Sequence, residues 1–214
     1  MENNCLKFMD EADHLEKMLS SVGAAYIIPA RYNTLLKGGV AVDIGANVGA
    51  FALLNHMKFD RIICIEPAQE TVDKLLVNLK NSNITNVEVH RLGVSDVSDK
   101  ILRLCSYTCN HYSGNATTMH IDDRWNYDEY EEVMSISLED IFKRFDLEKI
   151  DYLKVDCESS ELPFLMNKDL SKIDYLGIEH HQTDKLEMQE LMRYLLKFFV
   201  LIEHNDSEYN YKKR

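Results

Sequence analysis

Positive charge is scarce in this chain. Across 214 residues, 24 lysines and arginines stand against 36 aspartates and glutamates, a net charge of −12. A surface of that sign repels a phosphate backbone and argues against a general nucleic-acid binder. It argues equally against an anionic membrane surface as partner. Long apolar runs are also missing, since nothing approaches the roughly 20 residues that span a bilayer. The opening Met1-Glu2-Asn3-Asn4-Cys5 lacks the basic start and apolar stretch of a signal peptide, so a cytoplasmic location is expected. The five cysteines are odd in number and scattered, a pattern of reduced thiols rather than of a disulfide framework. Cys105, Cys109 and His111 lie close together, but no second pair completes a four-ligand set, and no metal is assigned; whether a divalent cation on Asp156, Glu179 and a histidine assists stays open. Internal repeats and low-complexity tracts are absent.

What is present fits one domain with a sizeable core. The chain divides into an N-terminal helical extension over 1–37 and a main domain over 38–214. Residues 4–20 carry Leu6, Met9, Leu15, Met18 and Leu19 near helical spacing. Beyond the Gly38-Gly39 turn, strands are predicted at Val40–Ile44, Arg61–Ile65, Val87–Arg91, Ile101–Tyr107, Val133–Ser137, Asp151–Val155, Asp174–Glu179 and Phe199–Glu203. Helices are predicted at Val48–Met57, Gln69–Leu79, Ser137 or Leu138 to about Phe145, 160–167 and Leu186–Phe198. This alternation predicts an α/β fold: a Rossmann-like, doubly wound, mostly parallel sheet with helices on both faces. The strands read as continuous apolar runs, as strands buried on both faces do.

Four of these runs end in an acid: Asp43, Glu66, Asp156 and Glu179. Ligands of an open parallel sheet bind outside the carboxyl ends of its strands, so the topology brings four carboxylates toward one rim. Taken singly, each acid is also what a following helix N-terminus favours. The first strand runs into Gly45-Ala46-Asn47-Val48-Gly49. A strand, a glycine turn, a helix and a second strand tipped with an acid make a nucleoside-cofactor cradle. A dinucleotide fingerprint needs a further glycine where Asn47 stands, to make room for a pyrophosphate. Its absence weakens a nicotinamide or flavin dinucleotide reading and favours S-adenosylmethionine (SAM), which has no phosphate and is cationic at sulfur.

Val42-Asp43-Ile44-Gly45-Ala46-Asn47-Val48-Gly49-Ala50-Phe51 resembles the SAM-binding opening of FkbM-type methyltransferases. Ile65-Glu66-Pro67 with Leu75, Leu76 and Asn78 is similar to that family's second signature. Val133–Ile141 resembles its strand and following helix, and Asp151-Tyr152-Leu153-Lys154-Val155-Asp156-Cys157-Glu158-Ser159-Ser160-Glu161 its most diagnostic segment. The resemblance spans roughly 38–180. One departure is Ser159, where the family has glycine; a serine there is suited to capping the next helix.

The resemblance implies a SAM-dependent methyltransferase, most often an O-methyltransferase of small molecules such as sugars. It implies that Asp43, Gly45 and Asn47 shape the SAM pocket, that Glu66 binds the ribose hydroxyls, and that Gly93-Val94-Ser95 flanks the adenine. Asp96 is placed to accept from the adenine amino group or to be a solvated turn residue. Asp156 would face the methionine end and the acceptor. Methyl transfer to a hydroxyl needs an oriented oxygen and a group to take its proton. The candidates for catalysis are Asp156, Glu158 and His181, with Glu161, Glu179 and His180 nearby; Glu158 and Glu161 share a face if their segment is helical. Lys154, inside an apolar strand, is expected to snorkel or to pair with an acid. The irregular 107–132 stretch, rich in tyrosines and acids, is the expected acceptor-binding segment. No Asn-Pro-Pro-aromatic or Asp-Pro-Pro-aromatic site follows the Asp151–Val155 strand, which again argues against a nucleic-acid substrate. Two alternatives stay open: a non-catalytic SAM- or nucleoside-binding module, and a nucleotide-dependent oxidoreductase. Oligomeric state is open as well.

Overall fold

The computed structural model describes residues 36–106, 117–118, 131–158, 160–180, 185–205 and 208–214. In chain order the elements are β1 (Val40–Ile44), α1 (Ala50–Asn55, continued by a 3-10 turn over His56–Lys58), β2 (Arg61–Glu66), α2 (Gln69–Asn81), β3 (Val87–Arg91), β4 (Gly93–Val94), β5 (Ile101–Ser106), β6 (Thr117–Thr118), β7 (Glu131–Ile136), α3 (Leu138–Arg144), β8 (Ile150–Val155), α4 (Glu161–Leu165), β9 (Ile173–Glu179), α5 (Lys185–Leu195), β10 (Phe199–Asn205) and β11 (Glu208–Lys213). The N-terminal helix expected over 4–20 and most of the 107–132 stretch lie outside the described residues.

Seven strands form the main sheet in the order β10-β11-β9-β8-β1-β2-β3. Every pairing from β9 to β3 is parallel. Such strands are joined by crossovers, and the helices they carry cover both faces. The period-two alternation of each strand sorts its side chains between two cores. Val42, Ile44, Ile63, Ile65, Leu153, Val155, Leu176 and Ile178 pack with Leu138, Ile141, Phe164, Leu165, Leu191 and Leu195 of α3, α4 and α5. Ala41, Ile62, Cys64 and Tyr152 face the other way, onto Phe51 of α1 and Leu75 and Leu79 of α2. Leu36, inside the expected N-terminal extension, is buried in this second core.

α2 buries Val72, Leu75 and Leu79, a three-and-four spacing that makes one helical stripe. α3 is capped by Ser137, whose hydroxyl accepts from the Asp140 N–H, and ends with Lys143 and Arg144, opposite in charge to the carbonyl end of the helix. A smaller four-stranded sheet, in the order β4-β7-β5-β6, stands beside the main one.

β11 is an addition to the sequence reading, which ended at a closing strand over Phe199–Glu203. β11 inserts between β9 and β10 and runs antiparallel to both. Glu208-Tyr209-Asn210-Tyr211 reads as a polar tail because its apolar content is tyrosine and its partners are distant in sequence. Tyr211 is buried against Phe199, while Asn210, on the opposite face, accepts a hydrogen bond from the Tyr152 hydroxyl at 3.1 Å. The space for that hydroxyl comes from Gly177, where a Cβ would sit 2.4 Å from Tyr152 Oη.

Gly177→Ala should therefore lower stability by about 1–3 kcal/mol through overpacking. Tyr152→Phe in the same chain should recover part of that loss. Urea denaturation of the single and double variants checks both, and an unchanged midpoint for Gly177→Ala would contradict the packing described.

Candidate functional site

The register of the sheet builds the site. Asp43 lies opposite Cys64 on one side and Lys154 on the other, so these three share one face near the carboxyl ends of their strands. Glu66 closes β2 two residues beyond Cys64, on the same face. Asp43 and Lys154 are fully buried, and Glu66 nearly so. Lys154 Nζ lies 3.1 Å from Asp43 Oδ1 and 3.5 Å from Asp156 Oδ2, and donates to the Gly45 carbonyl at 3.1 Å. The Cys64 thiol donates to Asp43 Oδ2 at 4.0 Å. Burial pushes the Asp43 carboxyl up, and the Lys154 ammonium opposes that rise. Burial also pushes the Cys64 and Cys157 thiols well up, so neither is a ready thiolate.

The turn after β1 is closed upon itself. The N–H groups of Gly45 and Ala46 donate to the Ile65 carbonyl at 2.9 and 3.2 Å. That of Asn47 donates to Glu66 Oε2 at 2.9 Å, that of Val48 to the Asn47 side chain at 2.8 Å, and that of Gly49 to the Ala46 carbonyl at 2.9 Å. A phosphate-binding loop works by aiming such N–H groups at its ligand. All five are engaged by the protein here. Gly45 has φ 72° and passes so close to β8 that a Cβ would lie 1.7 Å from the Asp156 carbonyl oxygen. No other residue type fits there. The Asn78 amide, from α2, donates to the Val48 carbonyl at 2.9 Å and holds the far side of the turn.

Glu66 accepts from the Asn47 N–H through one carboxyl oxygen and from the Ala68 N–H, at 3.1 Å, through the other. Each oxygen keeps a further lone pair for a ligand hydroxyl. Burial raises its pKa from 4.5 to about 7, with the two backbone donors and Lys154 holding it lower than burial alone would.

The structure brings Asp43, Gly45, Asn47, Glu66 and Asp156 into one corner. Ser95 follows β4: its hydroxyl donates to Asp96 Oδ1, and Lys100 ion-pairs with the same oxygen. Glu158 follows β8 in a left-handed conformation, φ 51°. α4 starts only at Glu161, so Glu158 and Glu161 do not share a helical face. Glu161 is fully buried and accepts from the Cys157 N–H at 3.3 Å. His181 and Ser159 lie outside the described residues. His180 is buried edge-on against the Tyr209 ring, with centroids 4.8 Å apart. Glu179 closes β9 directly opposite Glu208 of β11. Among the described residues, no group of three or more His, Cys, Asp or Glu is gathered as a metal ion would need. No helix among them is long and apolar enough to cross a membrane.

Lys154 pairs with an acid, as its place inside the apolar Tyr-Leu-Lys-Val run suggested; what sequence reasoning missed is its hydrogen bond to the Gly45 carbonyl. Also missed was Glu131, which pairs with Arg91 and accepts from the Gln69 N–H at 3.2 Å, joining the start of β7 to the N-terminus of α2.

A mostly parallel sheet with a closed glycine turn after its first strand and a buried acid at the tip of its second defines an α/β methyltransferase fold. The Methyltransferase FkbM domain model matches residues 43–213. The chain belongs to the FkbM methyltransferase domain family. Among solved structures it is similar to FkbM methyltransferase from Methylobacillus flagellatus, with 18% identity and a TM-score of 0.54, covering 92% of this chain and 50% of that protein. It is similar to a candidate RNA methyltransferase from Pyrococcus horikoshii, with 15% identity and a TM-score of 0.50, covering 94% and 98%. It is also similar to a candidate methyltransferase from Streptococcus mutans in complex with S-adenosylhomocysteine (SAH), with 10% identity and a TM-score of 0.50, covering 97% and 99%. At these identities the likeness is one of fold. No curated protein matches the chain.

The Glu66 shift has a consequence for stability. The folded state holds this proton more tightly than the unfolded one, so ionisation opposes folding. The penalty is absent below pH 4.5, grows as pH rises, and is fully present above about 7. It amounts to roughly 3 kcal/mol. Glu66→Gln removes the titration, so the stability difference between the variant and the wild type should shift toward the variant across that window. Urea denaturation of both proteins at its two ends checks this, and a difference independent of pH would contradict it.

Proposed function

We propose that this chain is a SAM-dependent methyltransferase that transfers a methyl group to a hydroxyl of a small molecule such as a sugar. One observation carries the choice of cofactor: every N–H of the Gly45–Gly49 turn is satisfied within the protein, while the buried Glu66 carboxylate keeps lone pairs for two hydroxyls. Such a corner suits a ribose without a pyrophosphate. Bound SAM supplies a methyl group on a cationic sulfur, and the surrounding carboxylates suit that charge. Asp43, Gly45 and Asn47 shape the pocket, Glu66 accepts from the ribose hydroxyls, and Ser95 is the candidate beside the adenine.

Asp156, at the tip of β8, is placed to orient the acceptor hydroxyl and take its proton. Glu158 and His181 are the further candidates for that task. The left-handed backbone at Glu158 fits a tip that is shaped for function rather than for regular structure. The Pyrococcus horikoshii neighbour raises RNA as a substrate, but a net charge of −12 opposes a phosphate backbone.

Calorimetric titration with SAH tests the reading. The wild type should bind. Glu66→Ala should bind roughly tenfold to a hundredfold more weakly, the loss expected for hydrogen bonds to a charged group, and Asp43→Ala should bind more weakly too. Intact, folded protein that binds NADH and not SAH would overturn the proposal.

A further inference from the structure

Lys154 occupies an unusual place for an ammonium. Its side chain is 1% exposed, next to last in a strand whose other members are apolar or tyrosine after the opening Ile150-Asp151. Its register neighbours are Asp43 on β1 and Gly177 on β9. Gly177 offers no side chain, and Tyr152 Oη crowds the space beside it. The lysine therefore leans toward β1 and the glycine turn.

An ammonium has three donors. Among the described residues, three pieces of chain meet this one: the Gly45 carbonyl of the turn accepts a hydrogen bond, and Asp43 Oδ1 of β1 and Asp156 Oδ2 beyond β8 are its ion-pair partners. The turn is pinned to β2 on one side by the Ile65 carbonyl and the Glu66 carboxylate. On the other side, Lys154 holds the turn's carbonyl, and the Asp156 N–H donates to the Ile44 carbonyl at 3.1 Å. A buried ion pair by itself is a weak source of stability, since apolar residues of similar volume often serve as well. Ties to a backbone carbonyl and to a carboxylate at the rim go beyond neutralising Asp43.

We propose that Lys154 is a positioning residue of the ligand site, tying the Gly45 turn to the ends of β1 and β8 and fixing where the Asp156 carboxylate stands. The identity of the ligand rests on the methyltransferase reading, whereas the tie itself is measurable without ligand.

The test compares Asp43→Asn, in which Lys154 keeps Asp156 as its counter-ion, with Asp43→Asn/Lys154→Met, in which the ammonium is gone as well, so neither protein is left with an unpaired buried ammonium. Amide hydrogen exchange of the unliganded proteins is read first. The double variant should exchange the Gly45 and Ala46 amides at least about tenfold faster than Asp43→Asn, with β3 and α5 unchanged; tenfold corresponds to the loss of one hydrogen bond to a charged group. SAH affinity should fall by a similar factor. The acid limb of SAH binding should move to higher pH, because Lys154 helps to keep Glu66 ionised. Should the methionine variant fail to fold, Lys154→Gln in the same background replaces it; that shorter amide does not reach the Gly45 carbonyl. Equal turn exchange in the two proteins would overturn the proposal, leaving Lys154 as a counter-ion to Asp43 alone. Failure of the wild type to bind SAH would strike the methyltransferase reading instead, and the exchange result would still decide the tie.

Discussion

The structure turns on the place where the backbone of β8 crosses the turn after β1. The Asp156 carbonyl lies where a side chain at position 45 would begin, so that position can hold only glycine. This close approach puts the Lys154 ammonium beneath the Gly45 carbonyl and between Asp43 and Asp156. It also lets the Asp156 N–H extend the β1–β8 ladder by one residue. A rigid crossing at the carboxyl ends of two central strands is what an open α/β sheet uses to hold a ligand.

The same crossing separates the cofactor classes. Dinucleotide and nucleotide sites spend loop N–H groups on phosphate oxygens. Here the turn uses its N–H groups to hold its own shape, and one of them holds Glu66. Charge at the corner resides instead in buried carboxylates around one ammonium. That balance favours a neutral or cationic ligand, which agrees with membership of a methyltransferase family and with the acidic character of the whole chain.

Much of this was legible in the sequence because it is local. Val40–Ile44, the glycine turn, Arg61–Glu66 and the Ile150–Asp156 run each declare themselves by apolar continuity, glycine placement and a terminal acid. The strands predicted at these positions match to within a residue or so. What escaped is non-local. β11 pairs with β9 and hides its tyrosines in a polar run, so its place depends on register rather than on periodicity. The tie made by Lys154 depends on which strands lie side by side. The helical face supposed for Glu158 and Glu161 gave way to a left-handed residue and a later helix start, a choice that the bare sequence Cys-Glu-Ser-Ser-Glu does not declare.

A crystal structure of the protein with SAH tests the central claim most directly. The ribose hydroxyls should lie about 2.7–3.2 Å from the Glu66 carboxyl oxygens, with the Gly45–Gly49 turn unmoved and Lys154 still on the Gly45 carbonyl. SAH seated elsewhere, or a turn that opens so that its N–H groups face the ligand, would contradict the claim that this corner is a preformed ribose site.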